Sequence, residues 1–132
     1  GMRLNQITVP CTDYEASVAF YTALGLIQIV ASSPRYARFE CPEGDGGEPA
    51  TLSLHSVETL PEADYPAIYF EVDYVAVEVA RLGALGISCD TGPVAQSWLW
   101  TEAWLKDPAG NRVCLYHAGT TRRFPPWRID AD

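Results

Sequence analysis

Two stretches of this chain, DYEASVAFYTALGL from Asp13 and DYVAVEVARLGALGI from Asp73, open and close alike. Each begins with Asp-Tyr, carries Ala three positions after the Asp, and ends on Ala-Leu-Gly followed by Leu or Ile. Such a repeat constrains the fold more than any isolated motif, because both copies must specify one supersecondary unit. In the first copy Thr12 and Glu15 fit a capping box. Ala16, Ala19, Phe20, Ala23 and Leu24 then recur at helical spacing, and Gly25 supplies a left-handed stop. In the second, Asp73 caps the start, Val75, Val79 and Leu82 form the stripe, and Gly86 ends it.

The flanks repeat as well. LNQITV and AIYFEV precede the two helices and alternate as strands do. LIQIV, RYARFEC and TLSLHSV follow the first helix; GISCD, SWLWTEAWL and NRVCLYH follow the second. CPEGDGGEP and DPAGN supply the turns before the last strand of each half. Each half therefore reads strand–helix–strand–strand–strand, joined by the acidic, Pro-containing linker ETLPEADYP. The expected organisation is one α+β domain over 1–132, with a first module at about 3–58, a second at about 66–119 and a tail over 120–132.

Composition narrows the function classes. At 132 residues, 48% hydrophobic and 20% charged, the chain has the makeup of a globular domain and no apolar run long enough to span a bilayer. Gly1 ahead of Met2 reads as a tag-removal scar, and no signal-peptide pattern follows it. Cys11, Cys41, Cys89 and Cys114 show no regular spacing, which fits reduced thiols in the cytoplasm. The net charge of −8 argues against nucleic acid. Arg122, Arg123 and Arg128 form the one local basic cluster, interleaved with Phe124 and Trp127 in the tail. Those two aromatic residues give a reason to expect a homodimer.

Strand alternation assigns side chains to faces. Ile7, Val9, Ala37, Phe39, Leu52, Leu54, Ile68, Phe70, Val72, Leu99, Ala103, Leu105, Val113 and Leu115 form an apolar set suited to packing under helices. The opposite set holds Gln6, Thr8, Tyr36, Arg38, Glu40, Thr51, Ser53, His55, Tyr69, Glu71, Trp98, Trp100, Glu102, Trp104, Arg112, Cys114 and Tyr116. Rings mixed with a few polar groups suit a ligand cavity better than a water-facing surface.

Tandem βαβββ modules, with VPCTDYEASVAFYTALGL and DPAGNRVCLYH as their most specific parts, resemble the vicinal oxygen chelate superfamily. That superfamily contains glyoxalases, bleomycin-resistance proteins and extradiol dioxygenases. The resemblance covers about 4–119 and implies a curved, cup-shaped mixed sheet with helices on the outer face and a ligand in the cup. It also implies metal ligands on the first and last strands of each module, at positions matching Gln6, Ser53, Ala67 and Cys114. Enzymes of the superfamily carry His or Gln, Glu or His, His, and Glu there, so only Gln6 matches. No metal or other cofactor is therefore expected. A displaced divalent site from Gln6, His55 and Glu71 is the alternative. Cys114 and His117, three residues apart on one strand, fall on opposite faces.

The reading that follows is a binding protein that holds an aromatic or planar small molecule without the standard metal site. Its ligand-binding residues would be Gln6, Arg38, Ser53, His55, Tyr69, Glu71, Trp98, Trp100, Glu102, Trp104 and Cys114. The acidic net charge favours a cationic or neutral ligand. The competing reading is a glyoxalase-like lyase or isomerase, with Glu71 or Glu102 as base and His55 or Arg38 stabilising negative charge. A third is a partner protein that docks through its tail.

Overall fold

The computed structural model describes residues 5–42, 47–60 and 66–128. Much of the linker, the middle of the CPEGDGGEP turn, the tag-scar position Gly1 and the end of the tail lie outside the described residues. The elements are β1 (Gln6–Cys11), α1 (Tyr14–Leu24), β2 (Ile27–Ser32), β3 (Tyr36–Glu40) and β4 (Thr51–Ser56). Then come β5 (Ile68–Glu71), α2 (Val75–Ala84), β6 (Thr91–Ala95), β7 (Thr101–Lys106), β8 (Arg112–His117) and a short 3-10 helix at Gly119–Arg122. Two tandem βαβββ modules result.

The strands form two four-stranded sheets, ordered β1-β4-β3-β2 and β5-β8-β7-β6. In each, the first and last strands of the module run parallel and the others antiparallel. A parallel pair needs a long crossover, and the helix with the two strands after it supplies it. The chain divides into two compact units. One comprises Gly1–Tyr65 with Asp107–Asn111, the other Pro66–Lys106 with Arg112–Asp132.

The helix starts differ from expectation. Asp13, not Thr12, caps α1, its carboxylate accepting the Ala16 N–H at 3.0 Å. A carboxylate also suits the positive end of the helix dipole. Asp73 lies one residue outside α2, whose cap position is Tyr74 with no side-chain bond. Gly25 and Gly86 both adopt the left-handed conformation that ends their helices, with φ of 108° and 84°.

The buried face of α1 is Tyr14, Ser17, Phe20 and Tyr21, while Ala19 is exposed. Tyr21 is fully buried because its hydroxyl has a partner, donating to the Asp107 carboxylate at 2.9 Å. The same carboxylate accepts the Asn111 side-chain amide at 2.7 Å and the backbone N–H groups of Ala109 and Asn111. Asn111 also donates to the Pro10 carbonyl at 2.8 Å. This polar hub sits in the first unit, and the Tyr21 ring lies 6.1 Å from that of Phe39 between centroids.

Two strand assignments of the second module shift. GISCD is not a strand; β6 is the next segment, TGPVA. Pro93 hides this strand from a propensity reading, yet β6 is a sheet edge, where a missing N–H costs no ladder bond. SWLWTEAWL is a strand only from Thr101, with Ser97–Leu99 in a turn. Leu99, expected in the apolar set, is 53% exposed at φ 73°.

Candidate functional site

Pairing register places the expected side chains on the face opposite the apolar set. In the first sheet Thr8 lies beside Ser53, Arg38 beside Ser53, and Tyr36 beside His55. A hydrogen-bonded chain runs across these strands. Gln6 Nε2 donates to Ser53 Oγ at 2.9 Å and to Thr8 Oγ1 at 3.1 Å, and Thr51 donates to Gln6 Oε1. Ser53 Oγ and the Tyr36 hydroxyl are 2.6 Å apart, and Arg38 Nε donates to that hydroxyl at 2.9 Å. The Ser53 contact first, and then Arg38, hold the Tyr36 phenol below the usual tyrosine value. Tyr36 was on the expected face but outside the expected ligand set. Alternation alone marks it, and the contact with Ser53 reveals its role.

The second sheet presents different chemistry. Tyr69 lies beside Cys114, Cys114 beside Trp104, and Glu102 beside Tyr116. Although Glu102 is only 3% exposed, both its oxygens are satisfied by indoles. Trp98 Nε1 donates to Oε2 at 2.7 Å and Trp104 Nε1 to Oε1 at 3.0 Å. Around this carboxylate Trp100 stacks on Tyr116 at 4.8 Å between centroids. Tyr69 meets Trp100, Trp104 and Tyr116 edge-on at 6.1, 5.4 and 5.4 Å. Edge-to-face contacts bring positive ring edges to negative ring faces. Trp98 thus joins the cluster from the turn, and Trp100 from the residue between the turn and β7.

Glu71 stands apart from that cluster's chemistry. Its Oε2 accepts the Ala118 and Gly119 N–H groups at 2.8 and 2.9 Å, anchoring the start of the 3-10 helix. His117 and Arg122 lie 3.9 and 3.8 Å from its oxygens. His117 Nδ1 is 2.8 Å from the Val72 carbonyl, whereas Cys114 packs with Tyr116, Trp100 and Trp104.

The family-type metal positions do not fit an ion. Ala67 has no donor, and Ser53 Oγ is already held by Gln6 and Tyr36. Burial first, then the Glu102 charge, pushes the Cys114 thiol up to about 12, which disfavours the thiolate that binds metals. The displaced arrangement fails on distance. Gln6 lies opposite Thr51, four residues from His55, or about 13 Å along a strand. Its ligating oxygen is turned to Thr51. Among the described residues, no three His, Cys, Asp or Glu side chains gather.

Comparisons with known proteins agree with this architecture. The family model described as Glyoxalase/Bleomycin resistance protein/Dioxygenase superfamily matches residues 3–115. A bleomycin-binding protein solved in complex with bleomycin is 22% identical, with a TM-score of 0.66 over 89% of this chain and 98% of that one. Lactoylglutathione lyase from Agrobacterium tumefaciens is 21% identical, with a TM-score of 0.72 over 94% and 98%. An integron cassette protein from the mobile metagenome of Halifax Harbour sewage outfall is 22% identical, with a TM-score of 0.72 over 87% and 97%. None of the curated proteins compared with the sequence matches it. At these identities the structural likeness carries the fold, and the site must be argued from its own residues.

Proposed function

The chain belongs to the glyoxalase/bleomycin resistance protein/dioxygenase superfamily, and from that premise we propose that it binds a planar aromatic small molecule on the second sheet. The observation that carries this reading is the ring cluster around a buried carboxylate. Tyr69 and Trp98 remain 45% and 42% exposed at its edge, a costly arrangement unless a partner covers them. Glu102 fixes the two indoles through their N–H groups, which leaves rigid ring faces for stacking. Rigid aromatic surfaces bind with little loss of side-chain entropy.

A base-catalysed lyase or isomerase is less well supported. Glu102 and Glu71 each already accept two N–H donors, and those bonds give both carboxylates structural work in holding the indoles and the start of the 3-10 helix.

Tryptophan fluorescence during titration with planar aromatic compounds tests the proposal. Binding should change the emission, and Trp98→Ala and Trp104→Ala should each remove most of the change. An unchanged spectrum across one-, two- and three-ring compounds would count against it.

The proposal includes a homodimer, with the half-exposed Phe124 and Trp127 as part of its contact. Arg123 and Arg128 flank the Phe124 ring at 5.3 and 4.5 Å, which stiffens the tail for such a role. Light scattering should give twice the chain mass, falling to one chain when the tail is truncated before Phe124. No described helix is long and apolar enough to cross a membrane.

A further inference from the structure

The ring-bearing face of the second sheet also carries a cleft of about 260 Å³ lined by Asp90, Thr91, Trp104, Leu105, Lys106 and Arg112. Trp104 and Lys106 are two residues apart on β7 and so share a face. Lys106 and Arg112 are direct cross-strand partners. Like charges facing each other across a ladder destabilise a sheet, and this chain places its one Lys, of nine basic residues, opposite an Arg. An oxyanion seated between the two would be held by both and would offset their repulsion. The Arg112 guanidinium lies 5.9 Å from the Trp104 ring centroid, so cation and ring are presented side by side. Asp90 is the one acid of the lining, leaving the cleft with a net positive charge.

We propose that this cleft receives the carboxylate of a planar aromatic acid, with Lys106 and Arg112 holding the oxyanion while the ring lies against Trp104. The inference rests on the binding reading above and names its ligand class. It runs against the net charge of −8, which favours cations at long range. Within the cleft the two adjacent cations dominate, because charges beyond about 8–10 Å are screened in physiological salt. The volume lies just below the roughly 300–1,000 Å³ of small-molecule sites, which points to one or two fused rings. Arg112 offers a planar fork for a carboxylate, and Lys106 a point charge.

Calorimetric titration with 2-naphthoate, 2-naphthamide and 2-naphthylmethylammonium separates charge from ring, since all three carry the same bicycle. Naphthoate should bind at least about tenfold tighter than the amide, and the ammonium weakest. Lys106→Met and Arg112→Met should each erase most of that preference while leaving amide affinity within about twofold, and Arg112→Lys should fall between. Lys106 is exposed, so K106M keeps the fold, which circular dichroism checks. Equal affinity for the three compounds, with the Trp104 indole signal still moving in NMR spectra, would overturn the carboxylate assignment and leave the binding reading standing. A naphthoate preference that survives K106M and R112M would likewise overturn it. No binding of any of the three at millimolar concentration would overturn both.

Discussion

Ser53 and Cys114 hold the same place in their sheets, yet the two surroundings share almost no chemistry. Ser53 lies between Thr8 and Arg38, and Cys114 between Tyr69 and Trp104. One step away, Tyr36 faces His55 where Glu102 faces Tyr116. The first module therefore lays hydroxyl, amide and guanidinium groups across its face, and the second lays aromatic rings around a carboxylate. On the opposite face the modules agree: Leu52 and Leu54 correspond to Val113 and Leu115, all buried. Packing under a helix demands apolar side chains, so that face stays uniform. The other face is released from that demand, and each module has spent the freedom differently.

The largest expected difference lies in what anchors the two compact units. Asp107 accepts four hydrogen bonds within the first unit, and no described residue of the second serves as a comparable hub. Asp107→Ala should cost about 3–5 kcal/mol, since each buried donor left unpaired costs about 1–3 kcal/mol. Urea denaturation checks this, and a loss under about 1 kcal/mol would show that water replaces the carboxylate. In the second unit the sensitive point is Gly92. It holds φ 95° at the β6 bulge, and an added Cβ would lie 2.7 Å from Ala103 Cα. Gly92→Ala should cost about 2–4 kcal/mol, from left-handed strain plus overpacking. The edge strand should lose hydrogen-exchange protection with it.

These two residues also show what the sequence makes legible. The repeat, the alternating faces and the two left-handed glycines were readable because each is a local rule written twice. Asp107 was visible only as part of a turn, for its partner Tyr21 is 86 residues away. Gly92 escaped notice because Pro93 reads as a strand breaker until β6 is known to be an edge. Trp98 and Trp100 touch the ring cluster although both lie ahead of the strand that the alternating pattern extends over them. Glu71 kept its place on the strand, but its backbone partners at Ala118 and Gly119 were not foreseeable from periodicity.

A smaller contrast comes from matched substitutions on the two open faces. Glu102→Gln replaces one acceptor with an amide N–H that opposes an indole N–H. It should cost about 1–3 kcal/mol and shift the Trp98 or Trp104 indole resonance. Ser53→Ala should cost about 1 kcal/mol, because Tyr36 and Gln6 are partly accessible and turn to water. If the two losses prove equal, the second face is no more committed to its polar centre than the first.

The smallest effect, and the most selective, is the response to alkali. Ser53 and Arg38 hold the Tyr36 phenol below the ordinary 10.0. Burial first, with Cys114 and Glu102 next, raises Tyr69, and burial first, then Glu71, raises Tyr116. The signs are therefore opposite. A raised phenol contributes stability that is complete below pH 10 and lost as pH climbs, because the unfolded chain ionises first. A lowered phenol contributes only once pH passes its own folded value, when the folded state releases the proton more readily. Tyrosine 13Cζ titration should show Tyr36 ionising first of the three, and Arg38→Met should move it upward while leaving Tyr69 and Tyr116 in place. Ionisation of Tyr36 together with or after Tyr69 would mean that the Arg38–Tyr36–Ser53 chain does not hold in solution, and that the first face is an ordinary wet surface.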